Sequence, residues 1–160
     1  MKDSVMLNFE GRKEAGKQKI AHRKILIESQ NFGDLRGSLV DSYRQKVRSQ
    51  KTRIIRLLGR KNSGKIIHTL LGYELQASYK RIHCPDLVTA QYLKIFSDLG
   101  CHSIHLPYDP TVTTQLIPEF ENLLENINRK VRETFLKDTG TQQYVIQKIY
   151  EIIRQQLRSS

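Results

Sequence analysis

A glycine-containing string in the first half of the chain has the residue types that bind phosphate. From Gly59 to Lys65 the sequence reads G-R-K-N-S-G-K, which fits the first seven positions of the phosphate-binding loop G-x-x-x-x-G-K. The eighth position of that loop is a Ser or Thr that coordinates Mg²⁺, and here it is Ile66. Because the metal anchor is missing, we expect no nucleotide hydrolysis. We expect instead a turn that holds a phosphate through Arg60, Lys61 and Lys65 and through amides at the start of a following helix.

The same string resembles the first motif of the small GTPases that read G-R-x-N-x-G-K, and Leu70-Leu71-Gly72 extends the resemblance. The resemblance implies a nucleotide site. However, neither the D-x-x-G nor the N-K-x-D motif of that family follows at the required spacing. A degenerate nucleotide-binding domain therefore stays an alternative, and we expect no bound cofactor.

A second group of residues could ligate a metal. It comprises the cysteines and histidines on either side of a predicted helix over 86–99, namely His83, Cys84, Cys101, His102 and His105. A helix of that length separates the two sides by about 20 Å at ~1.5 Å per residue, whereas zinc needs ligands at ~2.0–2.3 Å. The same separation excludes a disulfide between Cys84 and Cys101. We expect buried thiols and surface histidines, no metal site and no catalytic residues.

The formal net charge is +11, and almost all of the excess lies in the first half of the chain. Residues 1–81 hold 19 basic and 7 acidic side chains, and no acidic residue occurs between Ser42 and Tyr73. Such a cluster repels itself unless counter-charge is supplied, and nucleic acid supplies it. We therefore expect binding to the phosphate backbone of RNA or DNA. A solvated face screened by salt, an acidic protein partner and an anionic lipid surface are the alternatives.

The candidate nucleic-acid-binding residues lie on two predicted helices, 13–29 and 35–60, and on the turn that follows. They are Arg44, Arg48, Lys51, Arg53, Arg56, Arg60, Lys61, Lys65, Lys17, Lys19, Arg23 and Lys24. The second helix is predicted over 35–58 from a recurrence of apolar residues at spacings of 4, 4, 4, 7 and 4, with Gly59 as its C-terminal cap.

The remaining elements predict a mainly α-helical single domain over 1–160, a bundle of five or six helices with at most one short strand pair. A helix is predicted from Ile66 through the alternating segment 73–79, another from Pro118 to Lys137, and a last one over 141–158. Residues 1–12 alternate weakly, which predicts either a short strand or a loose N-terminal segment. The alternative is a small α/β domain in which 52–58, 73–82 and 103–107 are strands.

In size, helix count and charge asymmetry, the chain resembles the helical small subunit of class 1 CRISPR effector complexes, and Arg44–Lys65 carries the resemblance. The resemblance implies a basic, catalytically inert subunit of a ribonucleoprotein, arrayed along guide RNA and target DNA. Residues 82–160, which are near neutral, would contact other protein subunits. No apolar run approaches the ~20 residues of a membrane-spanning helix, so we expect a cytoplasmic protein without membrane contact.

Overall fold

The computed structural model describes residues 33–59 and 64–159 of the chain. In chain order these residues form helix α1 (Gly33–Ser42), a π-helical turn (Tyr43–Val47), strands β1 (Thr52–Arg56), β2 (Lys65–Thr69), β3 (Gly72–Ala77) and β4 (Lys80–Cys84), helix α2 (Leu87–Asp98), strand β5 (Ser103–Pro107) and helices α3 (Pro110–Thr134) and α4 (Thr139–Arg158). The predicted bundle of five or six helices is therefore wrong, because the fold is mixed α/β. The alternative α/β prediction is the closer one. The predicted segments 1–12 and 13–29 lie outside the described residues.

Strands β2, β3 and β4 form an antiparallel meander in which Leu75 lies between Ile66 and Ile82. Leu75 is fully buried against α2, while the neighbouring row of Lys65, Gln76 and Arg81 lies on the solvent face. The prediction of a helix over this segment is wrong. The period-2 alternation of a half-buried strand was the correct signal.

Strand β1 pairs antiparallel with β5, with Ile54 opposite His105 and Arg56 opposite Ser103. The predicted helix over 35–58 is wrong, since α1 ends at Ser42 and its π-helical continuation ends at Val47. Strand β1 is rich in β-branched residues, which favour extended structure. Ile54 is 62% exposed and so does not belong to an apolar helix stripe. Gly59, with φ +82°, follows a strand instead of capping a helix.

The helices that follow the strands begin where short polar side chains cap them. The Asp86 carboxylate accepts the Thr89 N–H at 2.7 Å, and α2 is followed by Gly100 with φ +85°, which confirms the predicted helix in this segment. Helix α3 begins at Pro110 behind the capping residue Asp109, so the predicted start at Pro118 is wrong. Asp109 and Pro110 supply both an N-cap and a favoured first helical residue. Pro118 is preceded by Ile117, which cannot cap a helix.

The core is one continuous apolar cluster to which every helix of the described residues contributes. Helix α2 packs against the meander on one side and against α3 on the other. Its fully buried Phe96 lies 5.5 Å, between ring centroids, from Phe120 of α3 in an edge-to-face contact, a geometry worth ~0.5–1.5 kcal/mol beyond burial. Within the described ranges, no helix is both long and apolar enough to cross a membrane.

Candidate nucleic-acid interface

Six of the twelve predicted phosphate-binding residues lie in the described part of the chain: Arg44, Arg48, Lys51, Arg53, Arg56 and Lys65. The other six lie outside it: Lys17, Lys19, Arg23, Lys24, Arg60 and Lys61. The described six do not share one helix face, because the predicted helix is replaced by a π-helical turn, a loop and two strands.

Strand β1 presents its two arginines on opposite faces of the β1–β5 pair. Arg56 lies opposite Ser103, and directly opposite residues of an antiparallel pair share a face. Arg53 lies opposite the buried Leu106 and is itself exposed. Burial raises the pKa of the Cys84 thiol, and the nearby charge of Arg53 opposes that rise. The two guanidinium groups therefore flank the strand on both sides.

The predicted phosphate turn is described only at its two ends, because residues 60–63 lie outside the described residues. Lys65 begins strand β2, so the predicted contribution of amides at the start of a following helix is wrong. The Gly64 N–H donates to Asp98 Oδ1 at 2.9 Å. Lys65 is exposed on the solvent face of the meander beside Gln76 and Arg81, and Arg81 lies 3.8 Å from Glu74.

Arg48 extends from the end of the π-helical turn to the imidazole of His105 on β5. Its Nη1 lies 2.6 Å from His105 Nε2, and Thr52 Oγ1 lies 2.9 Å from His105 Nδ1. Burial, and then the charge of Arg48, lowers the pKa of His105, so the ring is neutral at pH 7. Arg48 Nη1 also lies 2.9 Å from Nδ1. A neutral ring that carries its proton on Nδ1 lets Nε2 accept from Arg48 at the shorter distance and lets Nδ1 donate to Thr52.

The backbone of His105 is held on its outer side by two tyrosines. Its N–H donates to the Tyr43 hydroxyl oxygen at 3.1 Å, and its carbonyl accepts from the Tyr92 hydroxyl at 2.7 Å. Burial raises the pKa of Tyr43 to about 12, so that hydroxyl keeps its proton at neutral pH. The edge of β5 that does not face β1 is therefore bonded at this residue.

A cavity of about 90 Å³ lies between β5 and the last turns of α4, and we call it the β5–α4 pocket. Its polar lining is Tyr43, His102, Ser103, His105, Arg154 and Arg158. Arg154 Nη1 donates to the Leu99 carbonyl at 2.7 Å, which ties α4 to the end of α2. Sequence reasoning missed both arginines as site residues. Their only signal was a spacing of one helical turn at the end of the last predicted helix.

The two cysteines are buried free thiols, as predicted. Burial raises the pKa of Cys101 to about 12, and the charges of Arg154 and Arg158 oppose that rise. His102 is exposed, but His105 is half-buried and not the surface histidine that was predicted. Over 33–59 and 64–159, no three His, Cys, Asp or Glu side chains are grouped so that they could hold a metal ion.

No protein-family model, curated protein or solved structure matches this chain. A function therefore has to be inferred from the basic residues and their surroundings.

Proposed function

We propose that the protein binds the phosphate backbone of RNA or DNA, without enzymatic activity, through Arg53 and Arg56 of strand β1 and Lys65 of strand β2. The observation that supports this proposal is the lack of acidic partners at these cations. Among the described residues, no carboxylate lies within ion-pair distance of Arg53, Arg56 or Lys65. All three side chains are exposed.

Three cations of the second half of the chain are arranged differently. Lys94 lies 2.5 Å from Asp98, Arg132 lies 3.1 Å from Glu125, and Lys148 lies 3.5 Å from Glu151. These pairs offset one another within the fold, whereas the charges on β1 have no such offset among the described residues. A group of like charges destabilises a compact domain until counter-ions or a polyanion approach. A phosphate backbone supplies that counter-charge with little need for base-specific contacts.

The proposal is tested by measuring the affinity for single- and double-stranded RNA and DNA at increasing salt. The variant Arg53→Gln/Arg56→Gln removes two exposed cations of β1, and Arg129→Gln/Arg132→Gln removes the same charge from α3. Each lost phosphate contact reduces the slope of log K against log[salt] by ~0.7 for single strands and ~0.9 for duplex DNA. Because Arg53 and Arg56 lie on opposite faces of the β1–β5 pair, we expect the β1 variant to lose a slope of at least about 0.7 to 0.9, the value of one contact, and the α3 variant to keep the wild-type slope.

Two results would contradict the proposal. The first is an absence of binding to any of the four nucleic acids at ~50 mM salt, where a backbone binder is near its tightest. The second is an equal loss of affinity and slope in both variants, because binding would then follow total charge and not the β1 surface.

We also propose that the protein acts as a small subunit of a ribonucleoprotein complex. The size and the charge asymmetry that resemble the CRISPR small subunit support this, but the helix count no longer does, because the fold is mixed α/β. In such a complex, residues 82–160 would contact protein neighbours, since this segment is near neutral and three of its cations, Lys94, Arg132 and Lys148, are paired with acids of the same chain. Co-purification of a nucleic acid together with other proteins is the expected result of affinity capture.

A further inference from the structure

The β5–α4 pocket differs in the charge of its lining from two other cavities of the described chain. The cavity between α2, α3 and α4 is lined by Asp98, Glu121 and Glu125 together with a single lysine. The cavity beside the π-helical turn contains the ion pair of Lys46 and Glu119. No described carboxylate lines the β5–α4 pocket, which has two arginines, two imidazoles and two hydroxyl groups. The arginines, the His102 imidazole and the hydroxyl groups offer hydrogen-bond donors to an anion, whereas the neutral His105 ring is engaged by Arg48 and Thr52.

The size of the pocket limits what it can hold. At about 90 Å³ it has room for roughly three water molecules at ~30 Å³ each, which is the scale of one small tetrahedral anion. Pockets that enclose drug-sized ligands measure ~300–1,000 Å³, so the β5–α4 pocket is small for a nucleoside.

The donors of the pocket are held in place by the fold. One N–H of the Arg154 guanidinium is bonded to the Leu99 carbonyl, and an arginine has five such donors. The Tyr43 hydroxyl oxygen accepts from the His105 N–H, which leaves its own proton able to donate into the pocket. The charges of Arg154 and Arg158 both reach the Cys101 thiol, where they oppose the burial-driven rise of its pKa. Both arginines are therefore close enough to the buried Cys101 for their charges to act in the same pocket.

The pocket also has a floor and a rim. Tyr43 and Cys101, which are 1% and 5% exposed, form the floor, whereas His102, Ser103 and Arg158 on the rim are exposed. A phosphate that enters such a recess has room for one ester link leading back to solvent. An internal phosphodiester has two links and needs a groove that is open at both ends. A terminal phosphate also carries a charge of about −1.5 to −2 at pH 7, which suits two arginines better than the single charge of a diester.

We propose that the β5–α4 pocket binds the terminal phosphate monoester of a nucleic-acid strand whose backbone lies along β1. That the ligand is the end of a nucleic-acid strand rests on the proposed backbone binding. That the pocket binds phosphate does not depend on it. Arg56 lies opposite Ser103 of the pocket rim, so a strand that ends in the pocket would pass over a cation of β1 on the same face.

The test compares three single strands of one sequence that carry a 5′-phosphate, a 3′-phosphate or two hydroxyl ends. We expect wild-type protein to bind one of the phosphorylated strands about tenfold more tightly than the hydroxyl-ended strand, as for the gain of a charged hydrogen bond. The Arg158→Gln variant, which changes an exposed residue at the end of α4, should lose this preference and keep its affinity for the hydroxyl-ended strand. Arg56→Gln, outside the pocket, should weaken all three strands equally and keep the preference.

A second measurement uses inorganic phosphate alone, as the rise in melting temperature relative to chloride at equal ionic strength. We expect a larger rise for wild type than for Arg158→Gln, and a wild-type rise for the charge-matched Arg129→Gln.

Equal binding of the three strands by wild type would overturn the terminal-phosphate assignment, and so would a preference that survives in Arg158→Gln. If no strand binds but the phosphate effect depends on Arg158, the phosphate site stands and the proposed backbone binding fails. An equal phosphate effect in all variants would refute the site itself.

Discussion

The two tyrosines that bond the backbone of His105 are expected to stabilise the whole fold. Strand β5 pairs with β1 along one edge only, and Tyr43 and Tyr92 bond the N–H and the carbonyl of His105 on the other edge. Substitution of either tyrosine by phenylalanine keeps the ring, which packs against Phe96 at centroid distances of 5.9 and 5.0 Å. It removes the hydroxyl and leaves one polar group of β5 without its protein partner at a half-buried position.

The expected cost follows from that unpaired group. A buried donor or acceptor that loses its partner destabilises a protein by about 1–3 kcal/mol, so Tyr43→Phe and Tyr92→Phe should each lower the free energy of unfolding by this amount. The measurement is urea-induced equilibrium unfolding followed by circular dichroism. The matching decrease in melting temperature for a chain of this size is about 2–4 °C per kcal/mol. Because both hydroxyls bond the same residue, the double variant measures the coupling between them.

Tyr108→Phe is the matched control, because the Tyr108 ring is 58% exposed and packs against the ammonium of Lys51 at 5.7 Å. Its substitution should change stability by less than about 0.5 kcal/mol. If Tyr43→Phe and Tyr92→Phe are as mild as this control, the hydroxyl bonds do not hold β5, and the account of how His105 is positioned is wrong.

Two further predictions concern backbone strain and alkaline pH. Gly59 has φ +82°, and a Cβ there would lie 2.5 Å from the His102 ring, so Gly59→Ala should cost about 1–2 kcal/mol in urea unfolding. Gly37→Ala, in open space on α1, should stabilise by ~0.5–1 kcal/mol, and equal effects at the two sites would contradict this account. Burial raises the pKa of Cys101 from 9.0 to about 12, so above pH 9 the unfolded chain loses a proton that the folded chain keeps, and stability falls by up to ~1.4 kcal/mol per pH unit. Cys101→Ala should fall less steeply than wild type between pH 9 and 10, and parallel curves would show that this thiol does not titrate as described.

Elements whose signals are local could be predicted from the sequence. Helix α2 is bounded by Asp86, whose side chain caps it, and by Gly100, whose positive φ follows it, and both act within a few residues of the helix ends. The meander was missed because its turns lack their usual residues. Leu70-Leu71 and Ser78-Tyr79 connect the strands, whereas the two-residue turns recognised from sequence contain Asn-Gly or Asp-Gly.

Strand β1 shows why a helical spacing was misleading. Leu39, Tyr43 and Val47 are spaced four residues apart and are all buried. The next apolar residue of the predicted stripe is Ile54, seven positions later. That gap spans the end of the π-helical turn and the start of a strand. The strand is stabilised by pairing with β5, about fifty positions further along the chain, and such a long-range partner leaves no periodic signal in the segment itself.

The β5–α4 pocket could not be predicted for a different reason, which concerns charge. The net charge of a long segment sums residues that face in different directions. The near-zero net charge of the second half therefore gave no sign of two arginines that have no acidic partner among the described residues. Arg154 and Arg158 are one helical turn apart, and the bond from Arg154 to Leu99 places them beside a strand about fifty residues earlier. Charge along the sequence therefore predicts which segment carries excess cations. Only the packing of α4 against the end of α2 decides which cations from different segments act on the same anion.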